Sequence, residues 1–108
     1  MERDEVYTRH ILDAISTIEE YSKEINFDAF SKNKLIQDGV IRQLEIIGEA
    51  AKRLSADFRG SHNDIPWSDI TGMCDKLIHD YLGVDLKAVW QAIKEDIPGL
   101  KKRLKKME

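Results

Sequence analysis

The sequence predicts a single all-α domain, a small bundle of four to five helices. Apolar residues recur every three or four positions along most of the 108 residues, which is the spacing of one helix face. Only two prolines and six glycines interrupt these stretches, and no segment shows the alternation of a half-buried strand. A chain of this length corresponds to one domain, at the small end of those that fold alone.

Two long helical patterns occupy the first half of the chain. They are predicted over residues 3–25 and 34–58, and segment 26–30 between them opens with an asparagine that can cap a single helical turn. On the second helix, Gly39 and Gly48 are small enough to let another helix come close. The apolar stripes of the two helices are Ile11, Ala14, Ile15, Ile18, Tyr21 and Ile25, and Ile36, Val40, Leu44, Ile47, Ala51, Leu54 and Phe58.

Two further helices, and a short last one, are predicted after a polar loop at 59–64. Ser68 is the expected N-cap of the third helix, which should end just before Gly83. Asp85 can cap the fourth helix, and Pro98 either ends that helix or begins the last one. Their apolar stripes are Ile70, Met73, Leu77 and Ile78, then Leu86, Val89, Trp90, Ile93 and Ile97, then Leu100, Leu104 and Met107.

Composition narrows the classes of function. No apolar run approaches the twenty residues that cross a bilayer, no signal peptide is recognisable at the start, and a lone cysteine fits a reducing cytoplasm.

The net charge is −3, but residues 101–108 carry +4 and the rest −7. An acidic body argues against broad, unspecific nucleic-acid binding. The basic tail could contact RNA phosphates, although a solvated helix end whose cations suit the dipole is the simpler interpretation.

The third helix carries the chemistry. Asp75 and His79 are four residues apart, so they lie one helical turn from each other and can touch. An imidazole beside a carboxylate is a possible acid/base pair at neutral pH, although most pairs at this spacing are plain surface contacts. Motifs around this pair are Ile65-Pro66-Trp67, Gly72-Met73, Leu77-Ile78-His79-Asp80-Tyr81, Val84-Asp85 and Val89-Trp90, with 41–54 (IRQLEIIGEAAKRL) upstream.

These motifs, in this order over nearly the whole chain, resemble the HepT-like branch of the HEPN superfamily. The resemblance implies a metal-independent endoribonuclease without cofactors, acting as the toxin of a pair with an MNT-type nucleotidyltransferase antitoxin. It also implies a homodimer whose active site forms where two protomers face each other. RNA is the implied substrate, with transfer RNA the target class known for relatives.

The HEPN signature is an arginine, four residues, a histidine, one residue and a tyrosine. His79 and Tyr81 match its last two positions, whereas Cys74 stands where the arginine belongs. By resemblance, His79 is the catalytic acid or base and the antitoxin modifies Tyr81 with AMP. In this chain we expect Asp75 to orient the His79 ring and raise its basicity. Spacing alone leaves Tyr81 equally open as a tyrosine at the edge of the core. These residues are expected to line a groove between protomers.

Cys74 puts the activity of this chain in question. A thiol is short and mostly neutral near pH 7, so it cannot replace a bidentate cation, and Lys76 lies on a different part of the helix. We therefore expect a weakened or absent nuclease. The alternatives are a catalytically silent homodimer that binds its antitoxin or RNA, and a purely structural helical dimer. Cys74 and His79 share no helix face, which disfavours a metal site; His10 and His62 are expected at the surface.

Overall fold

The computed structural model describes residues 2–79 and 85–106, all of whose regular structure is helical. The side chains of Glu2, Ile78 and His79 lie outside this description. The elements are α1 (Glu2–Ser22), α2 (Phe27–Lys32), α3 (Lys34–Arg53), α4 (Ala56–Ser61), α5 (Trp67–His79), α6 (Leu86–Gln91), a π-helical turn (Ala92–Asp96) and α7 (Ile97–Lys105).

The three long helices α1, α3 and α5 form the centre of the bundle. α3 packs against both α1 and α5, and α7 packs against α1. The apolar stripes predicted from the sequence supply this core, as the helical spacing requires. Among the described stripe residues, Tyr21 is the exposed exception, and six others are only partly buried against the core: Ile25, Ile36, Phe58, Met73, Leu86 and Trp90. Side chains with no more than 1% exposure include Ile11, Ile15, Ile18, Phe30, Val40, Leu44, Ile47, Val89 and Leu104.

Asparagine caps set the connection between α1 and α3. The Asn26 side chain accepts a hydrogen bond from the Ala29 backbone at 2.9 Å, which confirms the predicted cap and starts α2. Asn33 then caps α3 in the same way, accepting from Ile36 at 3.0 Å. α1 itself ends at Ser22, three residues before the predicted end of the first helix.

The predicted helix over 34–58 is wrong in its last turn. α3 ends at Arg53, Leu54 adopts an extended conformation, and Ser55 caps the separate helix α4 by accepting from the Phe58 backbone at 3.0 Å. Asp4 enforces this break, because its carboxylate accepts from both the backbone and the hydroxyl of Ser55 at 2.8 Å. The predicted polar loop at 59–64 is correspondingly shorter, since its first half belongs to α4.

The start of α5 also differs from the prediction. Ser68 lies inside the helix as its second residue and is not the N-cap. Pro66 occupies the N-cap position instead, because its carbonyl accepts the first hydrogen bond of the helix from the Ile70 backbone N–H at 3.1 Å. The predicted end before Gly83 lies outside the described residues.

The last helical segments form one continuous helix. Asp85 caps α6 as predicted, accepting from Lys87 and Ala88. Backbone torsions then stay helical through the π turn, where the Ile97 amide donates to the Ala92 carbonyl five residues back. Pro98 follows inside α7, as one of the two predicted outcomes had it. With this long helix counted once, the described residues hold six helices, so the expected four to five was too low.

Two further observations concern length and exposure. Within residues 2–79 and 85–106, none of the helices combines the length and the apolar character needed to span a bilayer. The basic tail continues α7: Leu104 is fully buried, while the neighbouring cations are exposed. Lys101 makes an ion pair with Glu19 of α1 at 2.9 Å.

Candidate active site

The site is built where α5 crosses α3. A Cβ atom placed on Gly48 of α3 would lie 2.8 Å from Cys74 Cβ of α5, closer than real Cβ atoms approach one another. Glycine at this position therefore lets the two helix backbones come together. Cys74 therefore faces the α3 backbone, whereas Asp75, the next residue of α5, lies at the edge of the contact between the two helices.

Cys74 is completely buried by this packing. Burial raises the pKa of its thiol to about 11, the nearby Asp75 carboxylate adds to the effect, and the Lys52 ammonium opposes it. At pH 7 the side chain is thus an uncharged thiol. It supplies neither a cation for a phosphate nor a thiolate for nucleophilic attack.

Asp75, the next residue, is only partly buried and pairs with a lysine from another helix. Its Oδ1 lies 2.6 Å from Lys52 Nζ, which reaches across from α3, and Glu49 Oε1 lies 3.9 Å from the same nitrogen. The hydrogen bond that Lys52 donates to Asp75 is the main reason that the pKa of Lys52 is raised above its ordinary value. A permanent cation consequently stands beside the motif helix.

Lys52 is the residue that sequence analysis missed. It lies 23 positions before Asp75, so helical spacing within α5 could not connect the two. The available signal was indirect: Lys52 follows Gly48 by one turn of α3, and Gly48 was predicted to permit a close helix approach. Lys76, two residues from Cys74 on α5, is exposed.

The remaining predicted site residues fall outside what the structure describes. The side chain of His79 and the whole of Tyr81 lie outside the described residues, so their contacts, and the groove between protomers, stay predictions. Cys74 and Asp75 are therefore the two motif residues whose surroundings are known. Among the described side chains, His, Cys, Asp and Glu form no group of three that could hold a metal ion.

The other two histidines occupy different settings. His10 is exposed and stacks edge-on against Tyr7 at 5.7 Å, in an open cleft of about 300 Å³ between α1 and α3. His62 is less simple than the expected surface residue. It ends α4, its ring lies 4.6 Å from that of Phe58, and its carbonyl accepts a hydrogen bond from Trp67 Nε1 at 3.1 Å.

Comparison with known proteins identifies the family. A family profile described as "Ribonuclease HepT-like" matches residues 11–107, which is nearly the whole chain. The chain belongs to the HepT-like ribonuclease family. This confirms the resemblance drawn from the motifs on α3, α5 and α6.

Individual relatives agree with the HepT-like assignment. The chain is 48% identical to "Probable ribonuclease HepT" of Thermococcus cleftensis, over 94% of this chain and 92% of that protein. It is 43% identical to a "Putative RNase" of Caldanaerobacter subterraneus subsp. tengcongensis, over 94% and 90% of the two chains.

A third relative is longer. "Gamma-glutamylcyclotransferase and putative RNase" of Methanocaldococcus jannaschii is 48% identical over 94% of this chain, which spans 46% of that protein. The HepT-like part is therefore about half of that protein's length. No solved structure matches the chain significantly.

Proposed function

We propose that this chain is a metal-independent endoribonuclease, the toxin of a HepT/MNT toxin–antitoxin pair. The observation that carries the proposal is the family match over residues 11–107, because it includes α5 and its motif positions. The names of the relatives, each a ribonuclease or RNase, support the reaction class. RNA is the proposed substrate, with transfer RNA as its class, and the cytoplasm is the proposed location.

The proposed reaction is an attack by the RNA on its own backbone. His79 accepts the proton of a 2′-hydroxyl, whose oxygen then bonds to the adjacent phosphorus. The bond from phosphorus to the 5′-oxygen of the next nucleotide breaks, and that oxygen takes a proton from an acid. A second copy of the chain, related by a two-fold axis, would supply that acid as its own histidine.

Asp75 has a compatible place in this reaction. Lys52 occupies its Oδ1, which leaves Oδ2 as the acceptor for the ring N–H of His79, one turn along α5. A carboxylate in that position fixes the tautomer of the imidazole and stabilises its protonated form. The ion pair and the proposed His79 contact therefore use different oxygens of one side chain.

Cys74 limits the rate. The buried thiol is neutral at pH 7, because burial raises its pKa to about 11, and so it cannot stabilise the charge that develops on phosphate. Loss of one such contact slows catalysis on the order of a hundredfold or more. We accordingly expect slow cleavage, well below that of a relative with arginine at this position.

Tyr81 is the proposed control point. An MNT-type nucleotidyltransferase would transfer AMP to its phenolic oxygen, adding a negatively charged phosphate and bulk two residues after His79. That charge repels RNA and blocks the cleft. This role requires an accessible hydroxyl and does not depend on position 74.

The second candidate is a silent homodimer that binds its antitoxin or RNA without cleaving it. The burial of an uncharged Cys74 at the motif's cation position favours it. The two functions differ in one measurable respect, which is phosphodiester cleavage that depends on His79.

The deciding experiment is RNA cleavage in excess EDTA with four proteins: the unaltered chain, His79→Ala, Cys74→Arg and the double variant Cys74→Arg/His79→Ala. We expect fast cleavage with Cys74→Arg, slow cleavage with the unaltered chain and none with either His79→Ala protein. Circular dichroism establishes that each variant is folded, since Cys74→Arg places a charge in a buried position. Absence of cleavage by all four proteins on transfer RNA and total RNA would replace the nuclease with the silent homodimer.

A further inference from the structure

The ion pair between α3 and α5 is too exposed to solvent to act mainly as a stabilising contact. Lys52 and Asp75 keep 43% and 42% of their side-chain surface exposed. Exposed lysine–carboxylate pairs contribute little to stability, because water screens them and two long side chains must be ordered. The main effect of this 2.6 Å contact is therefore to fix the position of the Lys52 ammonium group, and it adds little to the stability of the fold.

The Lys52–Asp75 ion pair lies beside the motif position occupied by Cys74. Asp75 follows Cys74 directly, and Lys52 approaches closely enough that its charge acts on the Cys74 thiol. The pair therefore fixes a lysine ammonium next to the motif position that lacks its arginine. The close packing at Gly48, one turn earlier on α3, brings Lys52 within reach of α5.

The ammonium group also has spare capacity. It carries three N–H donors, of which Asp75 accepts one, while Glu49 Oε1 lies at 3.9 Å, beyond hydrogen-bond distance. Since Lys52 is partly exposed, its other donors can contact an incoming ligand. The Asp75 hydrogen bond raises the pKa of Lys52, so the group stays cationic throughout the pH range in which imidazole chemistry operates.

We propose that Lys52 contacts the scissile phosphate and supplies the cation that Cys74 cannot. Asp75 is then a positioning residue, which anchors Lys52 beside the motif helix. This inference rests on the proposed ribonuclease function and deepens it by naming the group that stabilises the transition state in this chain.

A lysine ammonium stabilises a phosphate less well than the arginine guanidinium of the family motif. This difference explains why we expect slow cleavage and not full activity. A phosphate gains negative charge on the way to the transition state, so a nearby ammonium stabilises that state more than the ground state. Lysine offers a single point of charge, whereas the guanidinium of arginine forms two parallel hydrogen bonds. Asp75 also offsets part of the field of Lys52. Lys52 is consequently a weaker substitute for the arginine.

The test compares single substitutions in the full chain. Lys52→Gln should lower the first-order cleavage rate in EDTA about a hundredfold relative to the unaltered protein. Lys52→Arg should retain or exceed the original rate, since it keeps the cation. Lys101→Gln is the matched control, because Lys101 makes an ion pair between two other helices at similar exposure. Melting temperatures are measured for all three, and we expect equally small changes for Lys52→Gln and Lys101→Gln.

Each outcome is decisive. A large rate loss for Lys52→Gln, rescued by Lys52→Arg and absent in Lys101→Gln, supports the proposal. Equal rates for Lys52→Gln and the unaltered chain, with cleavage still dependent on His79, overturn it and leave the nuclease function intact. No cleavage by the unaltered chain alongside cleavage by Cys74→Arg overturns it as well, because Lys52 then fails to substitute. No cleavage by either protein overturns both this proposal and the nuclease function.

Discussion

Within residues 2–79 and 85–106, two ion pairs join different helices, and their geometry is nearly the same. Lys52 Nζ lies 2.6 Å from Asp75 Oδ1 between α3 and α5, and Lys101 Nζ lies 2.9 Å from Glu19 Oε2 between α7 and α1. The lysines keep 43% and 37% of their side-chain surface exposed. Distance and exposure therefore do not distinguish a functional pair from a structural one.

The surroundings do distinguish them. The Lys52–Asp75 pair adjoins Cys74 and the turn of α5 that leads to His79, whereas the Lys101–Glu19 pair fastens the last helix to the first. The second pair also favours the structural interpretation of the basic tail, since one of its cations is engaged within the protein. A lysine becomes a site candidate through the motif beside it, and substitutions can separate this contribution from simple helix docking.

Replacement of both members of a pair by amides should give the largest contrast. Lys52→Gln/Asp75→Asn keeps a hydrogen bond between the helices and removes both charges, so the uncompensated carboxylate that Lys52→Gln would leave is absent. We expect cleavage to fall at least about a hundredfold, because the Lys52 cation is lost together with the carboxylate proposed to orient His79. The equivalent change, Lys101→Gln/Glu19→Gln, should leave cleavage unchanged. Rates in EDTA on one transfer RNA measure the difference, and equal losses in both double variants would contradict the distinction.

Forcing α3 and α5 apart should weaken the first pair without altering its members. Gly48→Ala puts a Cβ atom 2.8 Å from Cys74 Cβ, and both atoms are fixed to helix backbones, so the helices must separate. We expect a loss of about 1–3 kcal/mol in the free energy of unfolding, together with slower cleavage. Urea denaturation measures the first and the EDTA assay the second.

Gly39→Ala is the matched control for that change. Its new Cβ would lie 2.8 Å from the ring of Tyr21, but this residue is 41% exposed and its side chain can swing aside. Alanine also favours a helix by roughly 0.5–1 kcal/mol over glycine. Gly39→Ala should therefore be neutral or slightly stabilising, and a larger loss there than at Gly48 would rule out the close helix approach as the cause.

The smallest effect concerns alkaline stability near the first pair. Burial raises the pKa of Cys74 from its ordinary value of 9.0 to about 11, so the folded state holds the thiol proton more tightly than the unfolded state. The resulting stability is complete below about pH 9 and is lost progressively as the pH rises toward 11. Melting temperature should fall across this window in the original chain and fall less in Cys74→Ala. Parallel profiles would show that Cys74 does not contribute.

Much of the fold could be predicted because amphipathic spacing determines which helix face is buried. Ile15, Leu44 and Leu77 from three predicted stripes are buried in the core, and Asn26 and Asp85 cap helices as their side-chain chemistry requires. The positions at which helices end were harder to predict from the sequence. The break after α3 depends on Asp4, which lies 51 residues before Ser55, and no local pattern reports such a contact.

The candidate site shows the same division. The motif positions were predicted from the sequence, and the family assignment is confirmed, since both depend on residues close together in the chain or in a fixed order. The setting of Cys74 and the partner of Asp75 were missed, because each depends on α3 and α5 packing at Gly48. The described surroundings of these motif residues come from contacts between helices that are distant in sequence, and spacing along one helix cannot reveal such contacts.

The bond between Asp4 and Ser55 has a consequence for how the molecule opens. Helix ends usually fray, and their amides exchange with solvent far faster than those of the core. Asp4 ties the first turn of α1 to the junction of α3 and α4, so these distant segments should gain protection from hydrogen exchange together. The backbone N–H of Ser55 lowers the pKa of Asp4, so this link is intact above the ordinary carboxyl value and is lost as the pH falls through the lowered one. Acid should therefore loosen both segments as a single cooperative unit.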